Sequence, residues 1–229
     1  MLETERKVLS LPAHNSMARY NEYMWNMILD LIFPPRDEDV LVRSLVPEDI
    51  DKMMSPRLVE HTSPATISLL SFKSPHVRAL IHECKFHNNK RAAELLSYAL
   101  HSFVREYMLE RVELAGVRML LAPIPLSLMR YKTRGYNQVA NITERVAKSC
   151  SLPHRTILAK IKDTKSQVDL NKKDRLRNQQ GAFACEKVNK NATYIVVDDV
   201  VTTGATMAAA IEALKKAGAK HVVPIALAH

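Results

Sequence analysis

The chain has 229 residues, with 33 Lys+Arg against 24 Asp+Glu and a formal net charge of +9. That length gives one domain with at most a small appendage, and 47% apolar residues supplies a core and excludes disorder. There is no apolar run of about 18 residues to insert in a membrane and no signal-like start; the scattered cysteines (Cys84, Cys150, Cys185) exclude a disulfide framework or cysteine-rich zinc site, so a cytoplasmic location is expected.

In chain order, residues 16–33 read as a helix, with Met17, Tyr20, Met24, Met27, Ile28 and Leu31 at three- and four-residue steps, stopped by Pro34-Pro35. Residues 36–63 are charged, with four prolines from Pro34 to Pro56, and read as irregular or weakly helical. Thr62-Ser63-Pro64 marks a boundary. The expected division is an N-terminal helical and irregular segment, 1–62, and a main domain, 63–229. Two helices follow, 75–87 and 90–109, and then the apolar strand Val117–Ala122, closed by Pro123. A helix covers 136–150, and the polar, basic stretch 162–181 reads as a long loop. Tyr194–Val197 is a β-branched strand, 204–217 a helix capped by Gly218, and His221–Ala228 a last strand. Strand, helix, strand over this span is a βαβ unit, hence an α/β fold with a central parallel sheet flanked by helices.

The charge is uneven. Residues 1–115 carry a net −2, residues 116–229 a net +11, and residues 118–177 alone +10. Such an excess suits an anionic partner: nucleic acid, a phosphorylated small molecule or a membrane surface; a solvated basic face is the other reading.

Residues 194–206 concentrate the chemistry. A buried strand runs into Asp198-Asp199, and a Thr/Gly loop opens the next helix. Ligands of open α/β sheets sit at the carboxyl ends of strands, and a helix N-terminus suits phosphate. Thr202, Thr203 and Thr206 add hydroxyls, and Gly204 admits close approach. Two aspartates would repel a phosphate unless they accept from sugar hydroxyls or sit near a magnesium ion. Together the features describe a ribose 5-phosphate seat. Helix capping alone requires a single Thr or Asp. Neither GxGxxG nor GxxxxGK[ST] is present, so a dinucleotide fold and a P-loop are unsupported.

The thirteen residues 194–206 resemble the phosphoribosyl-pyrophosphate signature of the type I phosphoribosyltransferases. That resemblance implies that Asp198 and Asp199 hold the ribose hydroxyls and that Thr202 to Thr206 bind the 5-phosphate. Purine-salvage enzymes carry an aspartate at the position of Thr202, so this loop is closer to the orotate type. Leu121–Leu126, Arg130–Gln138, Arg78–Phe86, Thr164–Gln167, Asp174–Asn178 and Gly181–Phe183 occur in the order of the ComF family, the competence-associated phosphoribosyltransferase-like proteins. The resemblance covers about 63–229, and Ile28–Pro34 is similar to the family's opening segment. ComF proteins commonly continue into a four-cysteine zinc module. Here Pro35–Val40 has no cysteine, and no zinc is expected at 35–63.

By the same resemblance, Pro123-Ile124-Pro125 is the pyrophosphate loop, although Pro-x-Pro is also a plain rigid turn. Arg130, Lys132 and Arg134 then neutralise pyrophosphate, and Arg175 belongs to a basic lid within 162–181. A solvated loop is the other reading of that stretch. Asn137-Gln138 caps the next helix or faces the acceptor, and Lys85 either reaches the site or lies on the surface. Tyr131 and Tyr136 are the nearby aromatic candidates. The nine histidines show no ligand spacing.

Three functions stay open. The first is a phosphoribosyltransferase that uses phosphoribosyl pyrophosphate and magnesium on a nucleobase-like acceptor. The second is a non-catalytic protein that binds a ribose phosphate or single-stranded DNA, linked to DNA uptake. The third is a scaffold with 1–62 as its arm. A homodimer is implied by resemblance alone.

Overall fold

The computed structural model describes residues 36–109, 118–162 and 181–229. The expected helix 16–33, the opening segment Ile28–Pro34 and the blocks within 163–180, Arg175 included, lie outside the described residues. The chain divides after Asp37, and Glu38–His229 forms one compact unit. Among the described residues no helix is long and apolar enough to cross a membrane.

The elements are α1 (Asp37–Ser44), α2 (Pro47–Met53), β1 (Met54–Val59), β2 (Thr66–Leu70), α3 (Pro75–Phe86) and α4 (Lys90–Val104), which continues as a wider π turn over Arg105–Leu109. Then come β3 (Met119–Pro123), α5 (Leu128–Arg134), α6 (Gln138–Ser149), β4 (Leu158–Lys160), β5 (Phe183–Cys185), β6 (Thr193–Val200), α7 (Ala205–Lys216) and β7 (His221–Ala228).

The main sheet has strand order β1-β2-β7-β6-β3. Strands β2, β7, β6 and β3 are parallel, and β1 joins antiparallel to β2. The sheet is therefore mixed, mostly parallel and flanked by helices. Residues of β6 alternate between its two faces. Ile195 and Val197 pack into a core with α3, α4 and α6. Tyr194 and Val196 pack into a second core with α7 and the small β4–β5 sheet. Ile195, Val196 and Val197 are fully buried, each stabilising the fold by about 1.5–3 kcal/mol relative to exposure.

Several expectations are corrected here. Residues 36–63 are not irregular: they form α1, α2 and β1. The prolines there are compatible with order. Pro47 opens α2, where its missing N–H is not needed, and Pro56 lies in the register shift of edge strand β1 between Met54 and Arg57. The boundary expected at residue 62 falls inside the compact unit, because β1 before it pairs with β2 after it. The strand expected at Tyr194–Val197 runs on through Val200, so the two aspartates are strand residues. Strands β2, β4 and β5 and helix α5 had no sequence signal strong enough to be expected.

The extension of β6 makes the site. Its partner β3 stops at Pro123, opposite Val197, whereas β7 pairs onward to Val200. Asp198 to Val200 thus overhang β3 at the carboxyl edge of the sheet, and a cavity opens there.

Candidate ribose-phosphate site

A cavity of about 460 Å³ lies over that edge. Asp198, Asp199, Thr202 and Thr206 form its floor, and Ile124, Pro125, Arg130 and Arg134 one wall. Lys85 and Phe86 come from α3, Phe72 from the end of β2, and Lys160 from β4.

The two aspartates are not equivalent. Asp199 is buried, and its Oδ2 meets Lys85 Nζ at 3.0 Å and accepts from Gln138 Nε2 at 2.7 Å. Its Oδ1 accepts from the backbone N–H of Val200 at 2.7 Å. Arg134 donates to Gln138 Oε1 at 2.8 Å, which fixes the amide so that its NH₂ faces Asp199. Burial raises the Asp199 carboxyl, but Lys85 and the hydrogen bonds from Val200 and Gln138 outweigh it and hold it below the usual range. Asp198 accepts at Oδ1 from the N–H of Asp199 at 2.9 Å. Burial, and then the negative charge of Asp199, push its carboxyl up to about 7. The sign follows from proton linkage. Between the ordinary carboxylate range and about 7 the native protein binds more protons at Asp198 than the unfolded chain. Stability is therefore expected to fall as pH rises from 5 to 8. In Asp198→Asn that fall should shrink, as measured by urea unfolding across the range; an unchanged slope would contradict the assignment.

The Thr/Gly loop follows directly. Val201 N–H donates to Ala228 O at 3.1 Å, tying the loop to β7. Gly204 adopts a left-handed φ of 80° and is the N-cap of α7, with no side-chain cap. The start of α7 consequently opens on a pocket of about 50 Å³ shared by Asp198, Thr202, Thr203, Gly204, Ala205 and Thr206. A cup of polar and backbone groups beside a carboxylate suits a sugar phosphate.

The Pro-x-Pro segment is held rather than loose. Ile124 N–H donates to Val197 O at 2.9 Å, and Asn137 Nδ2 donates to Ile124 O at 3.0 Å. Asn137 also caps α6, its Oδ1 accepting from Val139 and Ala140. The two residues of the Asn137-Gln138 pair therefore divide the work: Asn137 caps, and Gln138 grips Asp199. Pro123 ends β3, buried and outside the cavity lining, and Lys132 lies on the exposed side of α5, away from it. Lys85 reaches the site. Tyr136 is tied by its hydroxyl to Cys84 O and Asn88 N–H, and Tyr131 is exposed. The aromatic rings at the cavity are instead Phe72 and Phe86, the latter under the Arg134 guanidinium at 5.3 Å. Phe72 went unexpected because β2 did: a residue just past a parallel strand is a site candidate only once the strand is recognised. Lys160 had no local signal.

Residues 142–229 match the family of the phosphoribosyl transferase domain. The chain is 29% identical over 153 residues to the DNA utilization protein YhgH of Salmonella typhimurium, covering 65% of each. It is 32% identical over 104 residues to the competence protein ComFC of Streptococcus pneumoniae, covering 45% of each. The chain is thus similar to ComF-type proteins and carries a phosphoribosyl transferase domain match over residues 142–229. It spans 65% of the length of the YhgH relatives it matches. A shorter match, 40% identical over 75 residues, is to the transcriptional regulator GfcR of Methanosphaera stadtmanae, 31% of this chain and 37% of that one. Over part of its length the chain is therefore similar to proteins named for DNA utilization and for transcriptional regulation.

Proposed function

We propose that the ComF-like chain binds phosphoribosyl pyrophosphate and transfers its phosphoribosyl group to a nucleobase-like acceptor. One observation carries the reading: the start of α7 and the Asp198 carboxylate open on the same small pocket, at the edge of a cavity lined by Lys85, Arg130 and Arg134. The 5-phosphate takes the N–H groups and hydroxyls of Thr202–Thr206. Asp198 accepts from the ribose diol, while Lys85 and Gln138 occupy Asp199. The cations on α3 and α5 neutralise the pyrophosphate.

In the transfer, the C1–O bond to pyrophosphate breaks and its electron pair leaves with that group. A nitrogen lone pair of the acceptor forms the new C1 bond, and the nitrogen's proton passes to solvent. The chain's part is positioning and charge stabilisation of the leaving group. The donors at the acidic pair are all oxygen, with Asp198 open to the cavity, which fits a hard cation such as magnesium. Bound there through the ligand's own oxygens, magnesium would add further charge neutralisation.

Calorimetric titration with phosphoribosyl pyrophosphate and magnesium tests this. Wild type should bind, and Asp198→Asn should weaken binding at least tenfold. No binding, or equal binding by the variant, would sink the proposal. A panel of nucleobases watched for pyrophosphate release then decides whether transfer occurs.

The names of the YhgH and ComFC relatives support a second reading, in which the chain serves DNA uptake or use, with single-stranded DNA as ligand. Phosphate contacts make such binding weaken steeply with salt, so fluorescence anisotropy at two salt concentrations checks it. Salt-independent or absent binding removes it.

A further inference from the structure

A second cavity, of about 1080 Å³, lies over the ends of β1, β2 and β7. It adjoins the ribose-phosphate cavity, and Phe72, Arg78, Val200 and Thr202 line both. Its far side is built by Arg57 of β1, by Glu60 and His61 in the turn that follows, by Lys73 after β2 and by His229 after β7. Four separate stretches of chain meet there, so no local pattern in the sequence points to it.

We propose that this groove binds a nucleotide unit, its base on Phe72 and its phosphate among Arg57, Lys73 and Arg78. The inference rests on the proposed function for what occupies the neighbouring cavity. Under that reading the groove is the acceptor side, and the acceptor is an anionic, phosphate-bearing base rather than a free one. The ring comes first. Phe72 is 36% exposed at the boundary of the two cavities, yet its backbone is fixed. Its N–H donates to His229 O at 2.9 Å, and Arg78 donates to Lys73 O at 2.8 Å, which holds the turn. An exposed aromatic ring on a fixed backbone is a stacking platform for a base. Across the groove the rings of His61 and His229 lie 4.9 Å apart. His229 Nδ1 is 2.8 Å from Val201 O, and a carbonyl only accepts, so Nδ1 carries the proton. Nε2 of the neutral ring is then an acceptor, the partner that a heterocycle N–H or amine needs.

The charge decides between a free base and a nucleotide. Arg57, Lys73 and Arg78 face a single lining carboxylate side chain, Glu60. Among the described residues no carboxylate side chain pairs with any of the three cations. Arg57 donates to His229 O at 3.3 Å and Arg78 to Lys73 O, contacts that orient each guanidinium and leave it further N–H groups. A neutral base gives these cations no partner, whereas a phosphate accepts from several at once. Size agrees. The groove stands at the upper end of small-molecule sites and is larger than the 460 Å³ cavity beside it, so sugar and phosphate fit along with the base. A free nucleotide and the end of a single strand present this same unit.

Adenosine 3′-monophosphate, which has no 5′-phosphate for the Thr/Gly loop, is titrated into the full chain by calorimetry, beside adenosine and a short single-stranded deoxyadenosine oligomer. The nucleotide should bind at least tenfold tighter than adenosine and weaken as salt rises. Phe72→Ala should lower its affinity about fivefold or more. Arg57→Ser and Lys73→Ser should each lower it about threefold or more and flatten the salt dependence. Both residues are exposed, so circular dichroism should find these two variants folded, and both should bind phosphoribosyl pyrophosphate like wild type. Asp198→Asn should leave nucleotide binding unchanged. An oligomer that binds tighter than the mononucleotide assigns the groove to a strand; equal or weaker binding assigns it to a free nucleotide. No nucleotide binding by wild type, adenosine binding as tightly as the nucleotide, or unchanged affinity in the three groove variants would each overturn the proposal. Loss in Asp198→Asn alone would place the nucleotide in the ribose-phosphate cavity and overturn it too. Wild type that binds the nucleotide through Arg57 but takes no phosphoribosyl pyrophosphate would remove the transferase reading and leave the groove standing.

Discussion

Lys85→Met is expected to weaken phosphoribosyl pyrophosphate binding between tenfold and a hundredfold and to lower the unfolding free energy by about 2–4 kcal/mol. Both effects come from Asp199. Lys85 Nζ sits 3.0 Å from its Oδ2, with the lysine 28% exposed and the aspartate 12%. Without the ammonium, the buried carboxylate keeps only the hydrogen bonds of Gln138 and Val200. The native state loses a charge partner that the unfolded chain never needed. The cavity also gains a full negative charge where an anionic ligand binds, and a unit charge a few ångströms away in a half-buried site is worth a few kcal/mol. The double variant Lys85→Met/Asp199→Asn separates the two effects. Removing both charges should restore most of the stability, and calorimetry should show the binding recovering with it if repulsion is the cause. Chemical denaturation and titration of the four proteins complete the cycle. Wild-type affinity and stability in Lys85→Met would mean that the ion pair has no role.

Gly204→Ala is expected to destabilise the protein by about 2 kcal/mol or more and to abolish anion binding at the start of α7. Two costs combine. The φ of 80° is a left-handed conformation that an L-residue adopts with strain, and a Cβ there would lie 3.0 Å from Thr62 Cβ and 3.1 Å from Ser63 N. Neither neighbour can retreat easily. Ser63 presents backbone, and Thr62 is buried, with its hydroxyl 2.7 Å from Val59 O and 2.8 Å from Pro64 O. Gly135 is the internal control. It ends α5 at nearly the same φ, 81°, with open space where a Cβ would go. Gly135→Ala should therefore cost only the conformational strain, about 1 kcal/mol. Thermal melts of the two variants compare them, and equal losses would show that the approach of Thr62 and Ser63 does not matter.

These two variants also mark how far the chain is legible without its fold. The strand–loop–helix of residues 193–216 is local: β-branched residues, two acids, threonines and a glycine follow one another, so period and turn chemistry expose the candidate site directly. The basic span 118–177 reads as suiting an anionic partner or as a solvated face, and Arg130 and Arg134 from it line the cavity. Lys132 does not, because a seven-residue helix turns successive residues to different sides, and charge counting cannot see a helix that short.

The roles inside the acidic pair are a different matter. Asp198 and Asp199 are adjacent and identical in sequence, yet one opens to the cavity and the other is gripped by Gln138, 61 residues earlier, and by Lys85 on another helix. Edge strand β1 was hidden because its stretch, Pro56 included, reads as irregular or weakly helical; the register shift and the free edge accommodate that proline. Alternation and turn residues are written in contiguous stretches of chain, so the sequence by itself determined the α/β class and the strand–Thr/Gly loop–helix that builds the candidate site. Ion pairs and ligand sets join residues far apart in the chain, and packing alone brings them within the few ångströms at which charge acts.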